Sequence, residues 1–438
     1  MELSLISFAI LLVLIVLRVP IAFAMGAIGF VGFMALTNLT AASSMVGTTF
    51  VKTVQNYELS VLPLFILMGN IVSKAGISSE LYRAAQSYLG HRRGGLAMAT
   101  VVAAGGFSAV CGSSLATAAT MAKVAMPSMR KYGYSDSLAT ASIAAGGTLG
   151  ILIPPSVIMV IYGLMTETSI RELFAAGFLP GLLGIILYMC AVLWSVWRRP
   201  DSGPRAEKAT RSEKIAALLD IWGVLALFGL VMGGIYLGIF TPTESAGVGA
   251  GGAILLGLAR RQLNWTLIRE VLIDSVRTSA TLFFILIGAL IFSNFIGRAG
   301  LPDGLRGWVE GMKLSPYMVI VLICLIYIAL GCILESISML LLTIPVFFPI
   351  VKALVFPDMD PRWVLVWFGV LAVVVTEISL ITPPVGLNVY VLSAVLRDVK
   401  TTTIFRGIFP FITVDIVRLT IIIFIPQLSL LLPKLFYG

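Results

Sequence analysis

Two Pro-Pro pairs, each inside a long apolar segment, constrain this chain more than any other feature. Pro154-Pro155 lies in the run from Gly150 to Ser156, and Pro383-Pro384 lies in the run from Ser379 to Val385. Proline has no backbone N–H and clashes with the preceding helical turn, so each pair is predicted to break a helix. Irregular backbone at membrane depth persists only where protein buries it or where it lines a polar cavity. Two breaks at corresponding positions of two halves therefore indicate a binding site inside a membrane.

Composition predicts that the chain lies in a membrane. Of its 438 residues, 59% are hydrophobic and 12% are charged, whereas soluble proteins carry about 25% charged residues. Several apolar stretches exceed the roughly 18 residues that span a bilayer. The predicted fold class is therefore an all-α polytopic membrane protein. The net charge of +9 does not indicate nucleic acid as a partner, because the basic residues lie in short loops between apolar segments.

Four markers recur in the same order in the two halves of the chain, which predicts an internal repeat. They are Ala75-Gly76 with Ala299-Gly300, Pro127 with Pro349, the two Pro-Pro pairs, and Pro180 with Pro410. We predict a first repeat over 1–197, a basic linker over 198–216 and a second repeat over 217–438. The positive-inside rule places the linker in the cytoplasm and the N-terminus outside, so the two repeats are predicted to have inverted topology.

Each repeat is predicted to contain a re-entrant helical hairpin followed by a broken transmembrane helix. The first repeat has its hairpin at 94–129 and its broken helix at 135–163. The second repeat has its hairpin at 315–351 and its broken helix at 364–395. In both repeats the hairpin tip is polar and rich in small residues. Each helix break is therefore predicted to have a polar hairpin tip as its partner.

Other segments are predicted to lie at the membrane surface. Amphipathic surface helices are predicted at 79–91 and 264–273, the second of them separate from a membrane helix at 277–297. Residues 38–56 are predicted to lie outside any helix. The basic linker is predicted to face the anionic lipid of the inner leaflet.

The first hairpin turns at Gly112-Ser113-Ser114. Glycine lets the chain reverse there, and the helix that follows begins with unpaired N–H groups, which attract carboxylates. Ser113, Ser114 and Thr117 are therefore candidate substrate ligands. The alternative is that these hydroxyls only cap the helix, while neighbouring small residues allow close helix packing.

Unwound carbonyls in the first break cannot pair within a helix, and carbonyl and hydroxyl oxygens suit a hard cation such as Na⁺. The candidate Na⁺ ligands of the first half are Ser113, Gly146, Gly147, Thr148, Gly150, Ile153 and Ser156. Thr148 is also a candidate substrate ligand. The alternative is a packing kink that binds nothing.

The second tip and the second break provide matching candidates. Glu335 is an acid among apolar residues, and charges at membrane depth usually mark an ion path or a paired interior site. The alternative is that Glu335 caps the helix that begins at Ser336. The candidate Na⁺ ligands of this half are Gly331, Glu335, Ser379, Thr382 and Val385, and the candidate substrate ligands are Ser336, Thr382 and Asn388.

Several further residues are predicted to support this structure. Glu377 is predicted to brace the second break or to supply charge there. The other supporting residues are the prolines of the breaks, Pro154, Pro155, Pro383 and Pro384. Asp415 and Arg418 lie three residues apart on one helix face and are predicted to pair. The sequence contains no nucleotide-binding loop, haem spacing, zinc motif or nucleophile elbow, so an enzymatic function is not predicted.

Three motifs together resemble the large membrane subunit (M, DctM-type) of tripartite ATP-independent periplasmic (TRAP) transporters. They are GFSAVCGSS at 106–114, GGTLGILIPPS at 146–156 and TEISLITPPVG at 376–386. The resemblance covers essentially the whole chain, and the three motifs occur in the expected order. One departure is Ser379, where the family more often has glycine.

The resemblance implies Na⁺-coupled uptake of a small organic acid across the bacterial inner membrane, with Na⁺ as coupling ion and no cofactor. It implies a periplasmic solute-binding protein (P) and a separate small four-helix membrane subunit (Q) as partners. It also implies an elevator-type mechanism, in which hairpins and broken helices slide against a scaffold, with 79–91 and 264–273 as linking arms. The alternative is a stand-alone Na⁺/carboxylate or ion transporter of related architecture.

Overall fold

The computed structural model describes residues 2–438, apart from the side chain of Glu310, and its regular elements in that part of the chain are helices. The first half contains α1 (Glu2–Val16), α2 (Ile21–Leu36), α3 (Leu39–Gln55), α4 (Val61–Lys74), α5 (Ile77–Leu89), α6 (Gly95–Cys111), α7 (Ser114–Lys131), α8 (Asp136–Thr148), α9 (Val157–Thr166) and α10 (Ile170–Arg198). The second half contains α11 (Arg211–Asp220), α12 (Trp222–Tyr236), α13 (Pro242–Ala259), α14 (Trp265–Arg298), α15 (Leu301–Gly311), α16 (Pro316–Gly331), α17 (Ser336–Ala353), α18 (Pro361–Ser379), α19 (Leu387–Val395), α20 (Thr401–Phe424) and α21 (Gln427–Tyr437).

The all-helical fold of a polytopic membrane protein is confirmed. Within the described residues, α10, α14, α17, α18 and α20 are long and apolar enough to cross a membrane. These five spans become up to seven if each of two bent helix pairs, α3 with α4 and α11 with α12, counts as one span. The inverted orientation of the two halves stays a prediction.

Two helix pairs lie where the hairpins were predicted. Hairpin 1 consists of α6 and α7, and hairpin 2 consists of α16 and α17. Break 1, residues 149–156, separates α8 from α9, and break 2, residues 380–386, separates α18 from α19. The peptide bond within each Pro-Pro pair is cis.

The predicted surface helix at 264–273 is wrong, because α14 runs unbroken from Trp265 to Arg298. The Asn264 side chain caps this helix by accepting a hydrogen bond from the N–H of Leu267 at 2.8 Å. No proline or glycine interrupts the helix before Gly288, so its polar first turns continue directly into the apolar ones.

The amphipathic helix of the second half is α15 instead. It follows Ala299-Gly300 just as α5 follows Ala75-Gly76, and both glycines have a positive φ. A left-handed glycine ends one helix and redirects the chain into the next. The repeated Ala-Gly marker therefore locates the second amphipathic helix, whereas the polar residues near 270 do not.

The segment 38–56, which is predicted to lie outside any helix, contains the helix α3, Leu39–Gln55. The segment is rich in serine and threonine, which lowers its apolar signal. Asn38 caps α3 by accepting a hydrogen bond from the N–H of Ala41 at 2.8 Å, and this cap is the signal that could have identified the helix.

The bundle contains two packed groups. In the first group, which we call the scaffold, α14 packs against α2 and α4, and α4 packs against α13. At the crossing of α2 and α14 a Cβ on Gly29 would lie 2.7 Å from the backbone N of Phe292, so only glycine fits there. The two hairpins, the broken helices, α10 and α20 form a second group, the hairpin–break unit.

Candidate functional site

The two hairpin tips meet at a cleft of about 220 Å³ between the hairpin–break unit and the scaffold. Ser113 and Ser114 line it from hairpin 1, and Glu335 and Ser336 line it from hairpin 2. Four of the predicted ligands, two from each half, are therefore brought together at one place. The other predicted ligands do not line this cleft: most lie in or next to the helix breaks, whereas Thr117 lies on α7 and Gly331 at the end of α16.

The first tip presents the N-terminus of α7 to this cleft. Gly112 has a φ of +65°, which allows the chain to reverse there. Ser113 is the N-cap, and its hydroxyl accepts a hydrogen bond from the N–H of Ala116 at 3.4 Å. The predicted capping role is thus present, and the remaining unpaired N–H groups of the first turn favour an anion.

The second tip presents a carboxylate to the same cleft. One oxygen of Glu335 accepts hydrogen bonds from the N–H of Ile337 at 3.2 Å and of Ser338 at 3.3 Å, so Glu335 caps α17 as the alternative reading held. Its half-buried side chain also lines the cleft. A carboxylate in this position favours a cation beside it.

The scaffold wall of the cleft was missed by the sequence analysis. Asn70 on α4 and Thr278 on α14 line the cleft opposite the tips. The Asn70 side chain donates a hydrogen bond to the hydroxyl of Ser275 at 2.9 Å and so joins the two scaffold helices. An asparagine inside the apolar run of α4 was the available signal, since polar residues in membrane helices usually have a partner or a function.

Two predicted substrate ligands carry buried oxygen atoms without a hydrogen-bond partner among the described residues. These atoms are Thr117 Oγ1 on α7 and Asn388 Oδ1 on α19. The Asn388 amide group donates to the carbonyl of Ala144 at 3.1 Å, which connects the second broken helix to the first. A buried oxygen without a donor costs free energy unless a ligand or water satisfies it.

Other predicted hydroxyl ligands already hydrogen-bond to nearby carbonyls. The hydroxyls of Ser379 and Thr382 donate to the carbonyls of Thr376 and Ile378 at 2.7 Å and 2.6 Å. Ser156 donates to the carbonyl of Ile151 and caps α9. A hydroxyl that donates one hydrogen bond still has lone pairs on its oxygen, so each of these residues could also bind a cation. The hydrogen bonds themselves give the residues a structural role.

The predicted glycine ligands lie at close contacts with the hairpin helices. A Cβ on Gly146 would lie 2.9 Å from Ala104 Cβ, and one on Gly147 would lie 3.1 Å from the carbonyl oxygen of Ser114. A Cβ on Gly150 would overlap Ser108. These glycines therefore let broken helix 1 pack tightly against hairpin 1.

The prolines of the two breaks differ in exposure. Pro154 and Pro155 are buried, as is Ile153, whose side chain lines an apolar crevice away from the cleft. Pro383 and Pro384 are exposed, and Val385 is half-buried. Break 2 is thus the one that reaches the protein surface.

Glu377 belongs to a buried polar cluster behind the breaks. Arg418 Nη2 lies 2.6 Å from Glu377 Oε2 and 2.9 Å from Asp415 Oδ1, which confirms the predicted pairing of Asp415 with Arg418. The hydroxyl of Tyr188 donates to Asp415 at 2.6 Å and lies 3.1 Å from Thr148 Oγ1. The cluster therefore links α18, which leads into break 2, to α8, which leads into break 1.

These features define a multi-pass helical membrane transporter. The chain belongs to the family of the DctM component of tripartite ATP-independent periplasmic transporters, which matches residues 8–428. Members of this family are the large permease components of TRAP transporters, and the family is not enzymatic.

Two relatives show the extent of this similarity. The C4-dicarboxylate TRAP transporter large permease protein DctM of Pseudomonas aeruginosa is 36% identical over 405 residues, covering 91% of this chain and 92% of the relative. The sialic acid TRAP transporter large permease protein SiaM of Vibrio cholerae is 34% identical over 408 residues, covering 92% of each. The solved YdaH transporter of Alcanivorax borkumensis has a similar fold, with a TM-score of 0.61 at 14% identity over 91% of this chain and 89% of that one.

Proposed function

We propose that this chain is the permease of a Na⁺-coupled system that imports a small organic acid by an elevator-type mechanism. The observation that carries the proposal is the cleft where the two hairpin tips meet, lined by Ser113, Ser114, Glu335 and Ser336. The N-terminus of α7 favours an anion, and the Glu335 carboxylate favours a cation. A carboxylate alone would be repelled by Glu335, so the cleft suits an organic anion that binds together with Na⁺.

The proposed Na⁺ ligands and substrate ligands are those predicted from the sequence. Among the substrate ligands, Thr117 and Asn388 are the strongest candidates, because each has a buried oxygen without a hydrogen-bond partner among the described residues. Both atoms are buried, and oxygen is the ligand type that Na⁺ and substrate hydroxyls require. The substrate class is a carboxylate, because the relatives are described as carriers of C4-dicarboxylates and of sialic acid.

The elevator mechanism is supported by the position of the cleft. One wall belongs to the hairpin–break unit and the other, with Asn70 and Thr278, belongs to the scaffold. A sliding movement between the two groups would carry the tips and their ligand past the scaffold wall. The family description as a tripartite periplasmic transporter supports a periplasmic binding protein and a small membrane subunit as partners, and an inner-membrane location. The N-terminus is proposed to lie in the periplasm, because the positive-inside rule places the basic linker in the cytoplasm.

Uptake in liposomes tests the coupling and the partners. The chain would be reconstituted with a small subunit and a periplasmic binding protein of its own system, and uptake of succinate and of sialic acid would be measured with and without a Na⁺ gradient. We expect uptake of one of them that requires the gradient and both partners. Equal uptake without Na⁺ would disprove the coupling, and robust uptake by this chain alone would favour a stand-alone transporter.

Thr117→Val tests the site itself. Because Thr117 Oγ1 makes no hydrogen bond among the described residues, replacing it with a methyl group should leave folding intact. Loss of a substrate-binding oxygen should raise the substrate concentration for half-maximal uptake by about fivefold or more. Thr140→Val is the matched control, since Thr140 is also buried but donates to the carbonyl of Asp136 at 2.6 Å. An unchanged substrate concentration for half-maximal uptake in Thr117→Val would remove Thr117 from the site.

A further inference from the structure

A second groove, of about 640 Å³, lies where the end of α10 meets the starts of α8 and α20. Three arginines line it, Arg198 and Arg199 at the end of α10 and Arg406 near the start of α20. All three are exposed, and none makes an ion pair within the part of the chain that the structure describes. The nearest acid on α8, Asp136, is already paired with Arg130 at 3.1 Å. The groove therefore holds three positive charges, none of which is in an ion pair with a described residue.

The floor of the groove is rigid and polar. The N–H of Ser135 donates to the carbonyl of Ser202 at 3.0 Å, which ties the start of α8 to the segment after α10. Gly407 lets α20 approach α8, since a Cβ there would overlap the carbonyl group of Ser137. The hydroxyl-bearing residues Ser135, Ser137, Ser195 and Ser202 line the groove beside the arginines. Three helices and the linker thus hold the arginines around one space.

Along both α10 and α20, the residues that line the groove change from arginine to an aromatic side chain. Trp194 lies one turn before Arg198 on α10, about 6 Å further into the helix, and the Arg198 guanidinium lies 4.6 Å from its ring centroid. Phe409 lies about one turn beyond Arg406 on α20. The two aromatic side chains remain 44% and 62% exposed. A soluble anion would use the arginines but would leave this apolar layer exposed to solvent.

We propose that this groove binds the head group of an anionic phospholipid, with the phosphate on Arg198, Arg199 and Arg406 and the acyl chains along Trp194 and Phe409. Arginine recognises phosphate by paired, charge-assisted hydrogen bonds. Basic pockets between membrane helices are suited to acidic head groups, and aromatic side chains lie at the depth where head group and acyl chain meet. The lipid would bridge α8, α10 and α20, so it would move together with the hairpin–break unit.

Lipid binding to the whole protein tests this proposal. The protein would be placed in nanodiscs of phosphatidylcholine alone or with an equal part of phosphatidylglycerol, extracted in mild detergent, and analysed by native mass spectrometry for retained lipid. We expect retention of phosphatidylglycerol and not of phosphatidylcholine. Affinity should fall about fivefold for each arginine removed and roughly a hundredfold in Arg198→Gln/Arg199→Gln/Arg406→Gln.

The linker provides a matched control. Arg205→Gln/Lys208→Gln/Arg211→Gln removes the same charge from exposed residues outside the groove and should keep the lipid. If the triple variant does not fold, the single variant Arg406→Gln tests the same proposal through its expected loss of about fivefold in affinity. Equal retention by the groove and control variants would overturn the proposal. Inorganic phosphate that displaces phosphatidylglycerol at equal concentration would identify a soluble anion as the ligand and would overturn the lipid assignment.

Discussion

Ser379 departs from the glycine that the family resemblance leads us to expect, and its contact explains why the departure is tolerated. In break 1, Gly150 faces Ser108 of hairpin 1, and a Cβ on the glycine would overlap the serine. In the second half the residue types are exchanged, because Ser379 faces Gly331 of hairpin 2 with the same lack of space. Each contact between a broken helix and its hairpin therefore has room for one side chain only.

Gly331→Ser is expected to destabilise the protein by about 1–3 kcal/mol, because it places a second side chain into a filled contact. Adding Ser379→Gly to the same chain should recover most of that loss, since the pair then has the arrangement found in the first half. Thermal unfolding in detergent measures both effects. A double variant as unstable as Gly331→Ser alone would show that the fit of this pair does not control stability.

The first half contains the matching experiment. Gly150→Ser should be destabilising for the same reason, and Ser108→Gly should rescue it. Both rescues depend on direct contact, so Ser108→Gly should not rescue Gly331→Ser.

Hairpin tips and helix breaks could be predicted from the sequence because glycine and proline act on the backbone where they stand. Gly112 reverses the chain, and the two Pro-Pro pairs end α8 and α18 close to where the motifs placed the breaks. The second amphipathic helix could not be located in this way, because the sequence does not show that α14 continues through the polar stretch near 270. Packing against α4 supports that continuation, since Lys74 of α4 pairs with Glu270 at 3.1 Å. The scaffold wall of the cleft was missed for the same reason, since Asn70 becomes part of it only when α4 packs beside the tips.

The amphipathic helix α5, which we propose as a linking arm, is joined to the second half through Arg260. Its guanidinium donates to Glu80 of α5 at 2.6 Å and to the backbone carbonyl of Asp220 at 2.6 Å. Arg260 and Glu80 are both only 18% exposed, so this pair is stronger than an ordinary surface ion pair. The contact joins the arm to α13 and to the end of α11.

Arg260→Gln should therefore loosen α5 while leaving the bundle folded. Loss of a half-buried charged hydrogen bond costs about 1–3 kcal/mol, so amides of residues 77–89 should exchange about tenfold faster in hydrogen–deuterium exchange. Arg261→Gln is the control, because that neighbouring side chain is exposed. Unchanged exchange in α5 would mean that apolar packing against α6, rather than Arg260, holds the arm.

Arg130 fastens hairpin 1 to the loop that follows α19. Its side chain contacts Asp136 at 3.1 Å and Asp398 at 2.6 Å, and the hydrogen bond from Arg130 lowers the pKa of Asp398 below its ordinary value of 3.8. A carboxylate with a lowered pKa stabilises the fold above its unfolded pKa and loses that contribution as pH falls through the folded value. The stabilising contribution of this contact is thus confined to pH values at which Asp398 is ionised.

The melting temperature of Arg130→Gln should accordingly lie below that of the wild type at neutral pH, and the difference should shrink as pH falls below the ordinary aspartate pKa of 3.8. High salt should reduce it as well, because Asp398 is 62% exposed and its charge is screened. Arg397→Gln, which changes an adjacent exposed arginine, serves as the control. A difference that is constant from neutral to acidic pH would contradict the ionic origin of the effect.

Four helices meet at the buried cluster behind the breaks, so its charge balance concerns the entire bundle. Glu377 and Asp415 provide two carboxylates, and Arg418 provides the one guanidinium in contact with both; all three side chains are at most 1% exposed. Gly184 leaves the space that the guanidinium occupies, since a Cβ there would overlap it. Removing the arginine would leave two buried carboxylates without a positive partner, whereas removing one carboxylate would leave one buried ion pair.

Arg418→Met is therefore expected to destabilise the protein by about 3–5 kcal/mol, the cost of breaking a buried pair from one side. Glu377→Gln should cost far less, because Arg418 keeps Asp415 as an ionic partner and the amide oxygen can still accept its hydrogen bond. Thermal unfolding and the monodisperse fraction in detergent compare the two, with the exposed Arg397→Met as a control for the loss of a positive charge. If Glu377→Gln unfolds as readily as Arg418→Met, the link between the two broken helices depends on the hydrogen-bond chain through Glu377 rather than on charge balance.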